Sequence, residues 1–164
     1  LSSPSTFTVN LPPSAPTLTQ PTSGQTGVSV TPELRLYSTD ASNDYLNYKI
    51  YICSASDSSC ASPLQVLCQV SGTGCTTVSQ TGWSSQSANS GAAYTSGQTA
   101  IYKLQTALSA STQYYWQAFA IDPGGSNTYS SGSSIGTFTT GAATRVQVNV
   151  GGGTTIYGGT TINP

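Results

Sequence analysis

Apolar residues alternate with polar ones along several short segments of this chain, and this period of two constrains the fold more than any other feature. The longest such run spans residues 113–121, where Tyr114, Trp116, Ala118 and Ala120 occupy every second position. Residues two apart share one face of a β-strand, so the run predicts a strand with one buried face. Other β-branched and aromatic runs lie between Gly, Ser, Pro and Asn, which predicts an all-β fold.

The same pattern predicts the remaining strands and the segments that connect them. We expect strands at residues 17–19, 28–30, 34–37, 46–53, 64–70, 101–104 and 135–140, and turns at 40–44 and 122–127. Residues 71–100 are rich in Ser, Gly, Thr and Gln, which is typical of a long ordered loop or a decorated hairpin.

The charge content excludes several classes of function. Only 5% of the 164 residues are charged, the net charge is -1 and histidine is absent, whereas about 25% charged residues is usual. Such a chain has no basic field to attract nucleic acid, and no apolar run is long enough for a membrane span. Histidine-based triads, general bases and metal ligands are excluded, so we expect no enzyme, no catalytic residue and no cofactor.

The few charged residues have ordinary structural explanations. Four of the five carboxylates lie in predicted loops or turns, where Asp hydrogen-bonds the local backbone. A calcium site built from Asp40, Asp44 or Asp122 is chemically possible, but no calcium-loop motif accompanies them, so we predict no metal site. The basic residues of the predicted strands, Arg35, Lys49 and Lys103, are expected on solvated strand faces.

The cysteines are spaced in two equal steps. Cys53 and Cys60 are seven residues apart, as are Cys68 and Cys75. Four cysteines allow three pairings, of which we favour these two local ones. The alternative is a zinc site made of four thiolates, which usually shows closer C-x2-C pairs. Disulfides predict an oxidising, extracellular or cell-surface location.

Aromatic residues in the polar segment are the candidates for ligand recognition. Trp83 and Tyr94, with Tyr129 and Tyr157 elsewhere, could stack on sugar rings, so surface glycans are candidate partners. The interpretation that we favour for Trp83 is an anchor that packs the long polar insertion onto the domain.

Both ends of the chain carry further alternating segments. Near the N-terminus Phe7, Val9 and Leu11 alternate with polar residues, and the C-terminal segment contains Gly-Gly-Thr-Thr-Ile twice, six residues apart. Its aliphatic residues all occupy even positions: Val146, Val148, Val150, Ile156 and Ile162. Fully extended, this tail would reach roughly 55 Å, against about 17 to 20 Å for an ordinary strand. We expect the apolar residues of both tails to contact a neighbouring subunit.

Several motifs resemble fibronectin type III modules of bacterial proteins. The stretch from Leu108 to Ala120, with Tyr114 at the place of the corner tyrosine, resembles the family pattern. Pro13-Ser-Ala-Pro16, Pro32-x-Leu34-x-Leu36, the Asp-x-x-Asn-Asp turn and Thr-Phe-Thr-Thr140 are similar too. The resemblance covers residues 13–140 and implies an immunoglobulin-like β-sandwich. The chain departs from the family at Leu36, where a core tryptophan is common, and at Ala110-Ser111, which replaces Pro-Gly.

These observations give a division of the chain and three hypotheses for its role. We expect an extended strand at residues 1–14, a sandwich at 15–140 with a disulfide-stapled insertion at about 55–100, and a strand tail at 141–164. The first hypothesis is a subunit of an extracellular filament or pilus-like homopolymer, assembled by adding a terminal strand to the next copy. The second is an adhesive or carbohydrate-binding module of a larger surface protein, and the third, an enzyme, is disfavoured.

Overall fold

A computed structural model describes residues 9–143, 146–150 and 154–158. Strands and their connections make up this part of the chain, in agreement with the all-β prediction. No helix among the described residues is long and apolar enough to cross a membrane. The strands are β1 Thr17–Gln20, β2 Gln25–Val28, β3 Glu33–Tyr37, β4 Asn47–Ser54, β5 Gln65–Cys68, β6 Trp83–Ser84, β7 Ala100–Lys103, β8 Gln113–Ile121, β9 Gly136–Thr140, β10 Val146–Val150 and β11 Thr154–Gly158.

Two sheets pack face to face as a sandwich. One sheet has the order β1-β3-β7-β6 and the other has the order β2-β9-β8-β4-β5. β2 and β9 are parallel, and the remaining pairs of these two sheets are antiparallel. The fold class predicted from the sequence, an all-β sandwich, is therefore confirmed.

The core lies between the two sheets and follows the alternation of the sequence. Leu34 and Leu36 of β3 are fully buried against the inward residues of β4 and β8. The predicted inward set of β8 is buried, with Trp116, Ala118 and Ala120 at 0% exposure. Burying one such large apolar side chain contributes roughly 1.5 to 3 kcal/mol, so these strands supply much of the stability.

The two tails are described in part, and among the described residues only the C-terminal tail contains strands. Residues 9–16 form no strand, although Ser14 N–H donates to the Thr39 carbonyl at 2.8 Å. The C-terminal tail is divided into β10 and β11, which pair antiparallel with Val148 opposite Ile156. The intervening residues 151–153, three glycines, lie outside the described residues. β10 and β11 form their own two-stranded sheet.

The corner tyrosine implied by the family resemblance makes a specific hydrogen bond. Tyr114 is buried, and its hydroxyl accepts the backbone N–H of Ser109 at 3.0 Å. Tyr115, the next residue, is half-buried on the opposite face of β8, and its hydroxyl forms no hydrogen bond within residues 9–143.

The substitution Tyr114→Phe removes that acceptor and leaves the Ser109 N–H unpaired. We expect the free energy of unfolding to fall by about 1 to 3 kcal/mol, measured by urea denaturation. Tyr115→Phe is the matched control and should change stability by less than about 0.5 kcal/mol. Equal effects of the two substitutions would contradict the structural role of the Tyr114 hydroxyl.

Candidate functional site

Two disulfides staple the start of the polar insertion. Cys53, near the end of β4, is bonded to Cys60, and Cys68, at the end of β5, is bonded to Cys75. These are the two local pairings favoured from the spacing. Each of the four sulfur atoms is therefore part of a disulfide, so this structure contains no four thiolates that could bind zinc. Two disulfides are typical of proteins from oxidising compartments.

Trp83 anchors the insertion to the sandwich. It lies in β6 opposite Tyr102 of β7, and its side chain is 7% exposed. Its ring centroid is 4.9 Å from that of Tyr102 and 6.4 Å from those of Tyr48 and Tyr94. The preceding Gly82 has a φ of 93°, and a Cβ there would lie 2.7 Å from the Lys103 carbonyl oxygen, so glycine is required at this position.

Tyr94 is also part of the core, at 0% exposure. Its hydroxyl donates to the Ser84 carbonyl at 2.9 Å, and its backbone exchanges two hydrogen bonds with Leu46. Burial raises the pKa of Tyr94, of Tyr48 and of Tyr102 above the ordinary tyrosine value, because ionisation would place a charge in the core. Trp83 and Tyr94 are thus core residues, and their contact with a ligand stays a prediction.

A buried lysine lies on the outer face of the β4–β8 sheet. Lys49 is 5% exposed, and its Nζ donates to the Thr73 carbonyl at 2.9 Å. The Nζ lies 4.2 Å from the ring centroid of Tyr129, 4.5 Å from that of Phe119 and 5.2 Å from that of Tyr51. These distances are within the range of cation–π attraction. The expectation that Lys49 is solvated is therefore wrong.

The ring cage around Lys49 is assembled by the fold. Phe119 is its cross-strand partner on β8, Tyr51 is two residues further along β4, and Tyr129 comes from the loop after β8. Burial raises the pKa of the Tyr129 hydroxyl to about 12. Because the amine is enclosed by these rings and a carbonyl, a substrate cannot reach it, and we assign Lys49 a structural role.

The edge of β5 is the most exposed apolar feature of the disulfide-stapled region. Leu64 is 59% exposed, Val66 39% and Val78 45%. The Gln69 N–H donates inward to Tyr48, whereas the Cys68 carbonyl accepts the Ser79 N–H on the opposite side. Backbone groups alternate in direction along a strand, so Val66 points its N–H and C=O away from β4. Within residues 9–143 these two groups have no hydrogen-bond partner.

The predicted subunit-contact residues have different environments. Val9 and Leu11 are 63% and 59% exposed. Val146, Val148 and Val150 belong to β10, and Ile156 belongs to β11. Phe7 and Ile162 lie outside the described residues. All of these assignments to an interface stay predictions.

The carboxylates, by contrast, are brought together to an extent that the sequence does not indicate. Oxygens of Asp40, Asp44 and Asp122 lie within 4.8 Å of one another, and Asn10 Nδ2 donates to Asp44 Oδ2 at 2.5 Å.

The other two carboxylates, Glu33 and Asp57, have local partners. Glu33 forms an ion pair with Arg35, and Asp57 accepts hydrogen bonds from residues 59, 61 and 62 in the first disulfide loop. The hydrogen bond from the Ser62 N–H is the largest effect that lowers the pKa of Asp57.

No protein-family model and no curated protein matches this chain. Among solved structures, it is similar to the PKD domain of an M14-like peptidase from a Thermoplasmatales archaeon, with 18% identity and a TM-score of 0.50 over 81% of this chain and 99% of that domain. It is also similar to part of the Streptomyces avermitilis alpha-L-rhamnosidase complexed with L-rhamnose, at 16% identity and a TM-score of 0.48, covering 79% of this chain and 10% of the enzyme. The likeness to the PKD domain shows an immunoglobulin-like β-sandwich fold and nothing about activity.

The substitution Trp83→Ala tests the anchor. It removes the central ring of an aromatic cluster, and we expect a loss of about 3 to 5 kcal/mol in the free energy of unfolding, measured by urea denaturation. Limited proteolysis should then cleave residues 79–98 before the sandwich strands. Val78→Ala, at an exposed site of the same insertion, is the control and should change stability by less than about 0.5 kcal/mol.

The buried tyrosines predict a loss of stability at alkaline pH. Their raised pKa values mean that the unfolded chain releases these protons first, so stability is full below about pH 10, the ordinary tyrosine value, and falls as pH rises. For Tyr129 the fall extends to about pH 12. Absorbance at 295 nm should show delayed ionisation of the folded protein relative to the urea-unfolded protein. Coincident titration curves would contradict the burial of these hydroxyls.

Proposed function

We propose that this chain is a non-catalytic structural module of an extracellular assembly, in which copies join by pairing their sheet edges. The open edge of β5 is the observation that carries this proposal. Added strands bind through main-chain hydrogen bonds, and their side chains set the register. A head-to-tail contact of this kind need not close on itself, so it can propagate into a filament.

The β5 edge is covered at Cys68, whose carbonyl accepts the Ser79 N–H, but at Val66 it lacks the devices that usually protect an edge strand. Proteins blunt free edges with charged side chains, proline, bulges or a covering segment. β5 contains neither a charged residue nor proline, and residues 58–102 contain no charged residue at all. The outward backbone groups belong to Val66. The exposed side chains of Val66 and Leu64 would cover apolar surface of an incoming strand.

The C-terminal hairpin is the proposed donor. β10 and β11 form a sheet of two strands, and an isolated two-stranded hairpin is at best marginally stable in water. If an outer edge of the β10–β11 hairpin paired with β5 of another copy, β5 would become a third, hydrogen-bonded strand of its sheet. The donor differs from the single long strand expected from the sequence, because the tail is paired with itself over five positions.

The absence of histidine and the burial of Lys49 support the non-catalytic part of the proposal. The glycan-binding alternative depended on Trp83 and Tyr94, which are core residues, so no observation favours it. The two disulfides support an extracellular location.

Assembly is tested by deleting residues 144–164 and, separately, by Val66→Lys. The first variant removes the proposed donor, and the second places a charge beside the acceptor edge, which opposes strand addition. We expect the unaltered chain to form filaments in electron micrographs and both variants to sediment as folded monomers, with an unchanged circular dichroism spectrum for Val66→Lys.

The matched control is Tyr45→Lys, because Tyr45 is 44% exposed and lies outside both sheets. It should assemble like the unaltered chain. Monodisperse monomers of the unaltered chain at millimolar concentration would refute the proposal. Filaments that persist after the deletion would transfer the donor role to the N-terminal segment, where Val9→Asp should then block assembly by burying an unpaired charge.

A further inference from the structure

Three separate segments place oxygen ligands at one end of the sandwich. Asn10 comes from the N-terminal segment, Asp40 and Asp44 from the turn after β3, and Asp122 from the residue after β8. A Cβ added to Gly125 would collide with Asp122 Oδ2 and would lie 2.5 Å from Asn10 Nδ2 and 2.7 Å from Asp44 Oδ2. The three side chains therefore converge on one small space in front of Gly125.

Two residues of the cluster, Asp40 and Asn10, have buried atoms without partners. Asp40 is 7% exposed, and its Oδ1 accepts the N–H groups of Ser42 and Asp44, while its buried Oδ2 has no hydrogen bond. Asn10 Oδ1 is likewise buried and has no partner. Buried polar atoms are nearly always satisfied by a protein group, a water molecule or an ion. An unpartnered carboxylate oxygen beside two further carboxylates is a group that a cation would satisfy.

No basic side chain neutralises the cluster within the described residues. Their single ion pair joins Arg35 to Glu33, and Lys49 is held in its ring cage. Carboxylates this close repel one another unless a proton or a cation lies between them. Asp122 is fully buried and already accepts the N–H and the hydroxyl of Ser126, so its place in the turn is structural.

The size of the cluster and its ligand chemistry fit calcium. Ca²⁺ takes six to eight oxygen ligands at about 2.3 to 2.6 Å. Oxygens on opposite sides of such an ion are separated by about twice that distance, and the three carboxylate oxygens lie within 4.8 Å of one another. Mg²⁺ requires about 2.0 to 2.1 Å and a stricter octahedron, which makes it the poorer fit.

We propose that Asp40, Asp44 and Asp122, together with the amide oxygen of Asn10, bind one Ca²⁺ ion. The Asn10 amide now directs its nitrogen at Asp44, and a half-turn of the amide would exchange that nitrogen for the oxygen. Ion binding would tie the segment before Pro12-Pro13 to the turn after β3 and to the turn after β8. The proposal is independent of the assembly through β5.

Calcium binding is tested first on the unaltered chain. Isothermal titration should give one site, and CaCl₂ at about 100 times the dissociation constant should raise the melting temperature by about 5 to 10 °C over the EDTA-treated protein. Calcium should also slow proteolysis on the N-terminal side of Pro12. Absence of binding at millimolar calcium would overturn the proposal.

Two pairs of variants then locate the site. Asp44→Asn should weaken calcium binding by about tenfold or more, whereas Glu33→Gln, with the same change of charge at the exposed ion pair, should not. Gly125→Ala should abolish the calcium-dependent rise in melting temperature, because its methyl group fills the space between the ligands.

Gly124→Ala is the control for the second pair, since a Cβ at Gly124 meets no atom within 4 Å. It should retain the full calcium response. If Gly125→Ala does not fold, the comparison of Asp44→Asn with Glu33→Gln decides alone. Equal calcium affinity in those two variants would refute the assignment.

Discussion

The pairing of β4 with β8 is the interaction on which the rest of the structure depends. The two strands pair without interruption over eight positions, from Asn47 opposite Ile121 to Ser54 opposite Tyr114. One face of this ladder carries the core residues that meet the opposite sheet, and the other face carries Lys49 opposite Phe119. Its two ends place Asp122 at one end of the sandwich and Cys53 at the other. The register of β4 against β8 therefore positions the core, the ring cage, the Cys53 disulfide and the carboxylate cluster.

The large polar insertion is held by aromatic packing as much as by covalent bonds. The disulfides close two short loops at its start, and neither includes the chain between residues 76 and 99. That part is fixed by Trp83 and Tyr94, whose rings pack on Tyr48 and Tyr102 of the two facing sheets. Large aromatic rings bury enough apolar area to order a segment that is otherwise rich in Ser, Thr, Gly, Gln and Ala. The same packing buries both rings in the core.

Alternation in the sequence was sufficient to predict the strands whose two faces differ. β8 was predicted over residues 113–121, as observed, and β4 was predicted from residue 46, one residue early. The spacing of the cysteines favoured the pairing that the structure contains. β6 has two residues, too few for any period to be visible, so it was missed.

Contacts between distant residues are the part that alternation could not predict. Lys49 is surrounded by rings from β4, β8 and a later loop. The alternation of apolar and polar residues predicts only that its side chain lies on the face of β4 opposite the core. Asp40 and Asp122 are 82 positions apart in the chain, and only the register of β4 and β8 brings their turns together. The strand structure of the C-terminal tail was predicted but its division into β10 and β11 was not, because alternation is the same for one long strand and for the two strands of a hairpin.

The direction of the chain through the sandwich connects the proposed ion site with the proposed assembly. Asn10 contacts Asp44 near the end where β4 begins and β8 ends. β9 leaves the sandwich at the other end, where Thr139 lies opposite Gln113 at the start of β8. Entry and exit are thus separated by the length of β4, or about 26 Å for its eight residues. A sandwich whose N-terminal segment lies at one end and whose last strand ends at the other is suited to a linear array. An ion that binds the entering segment would hold that segment to one end of the sandwich, and it would not contribute to the strand addition between copies.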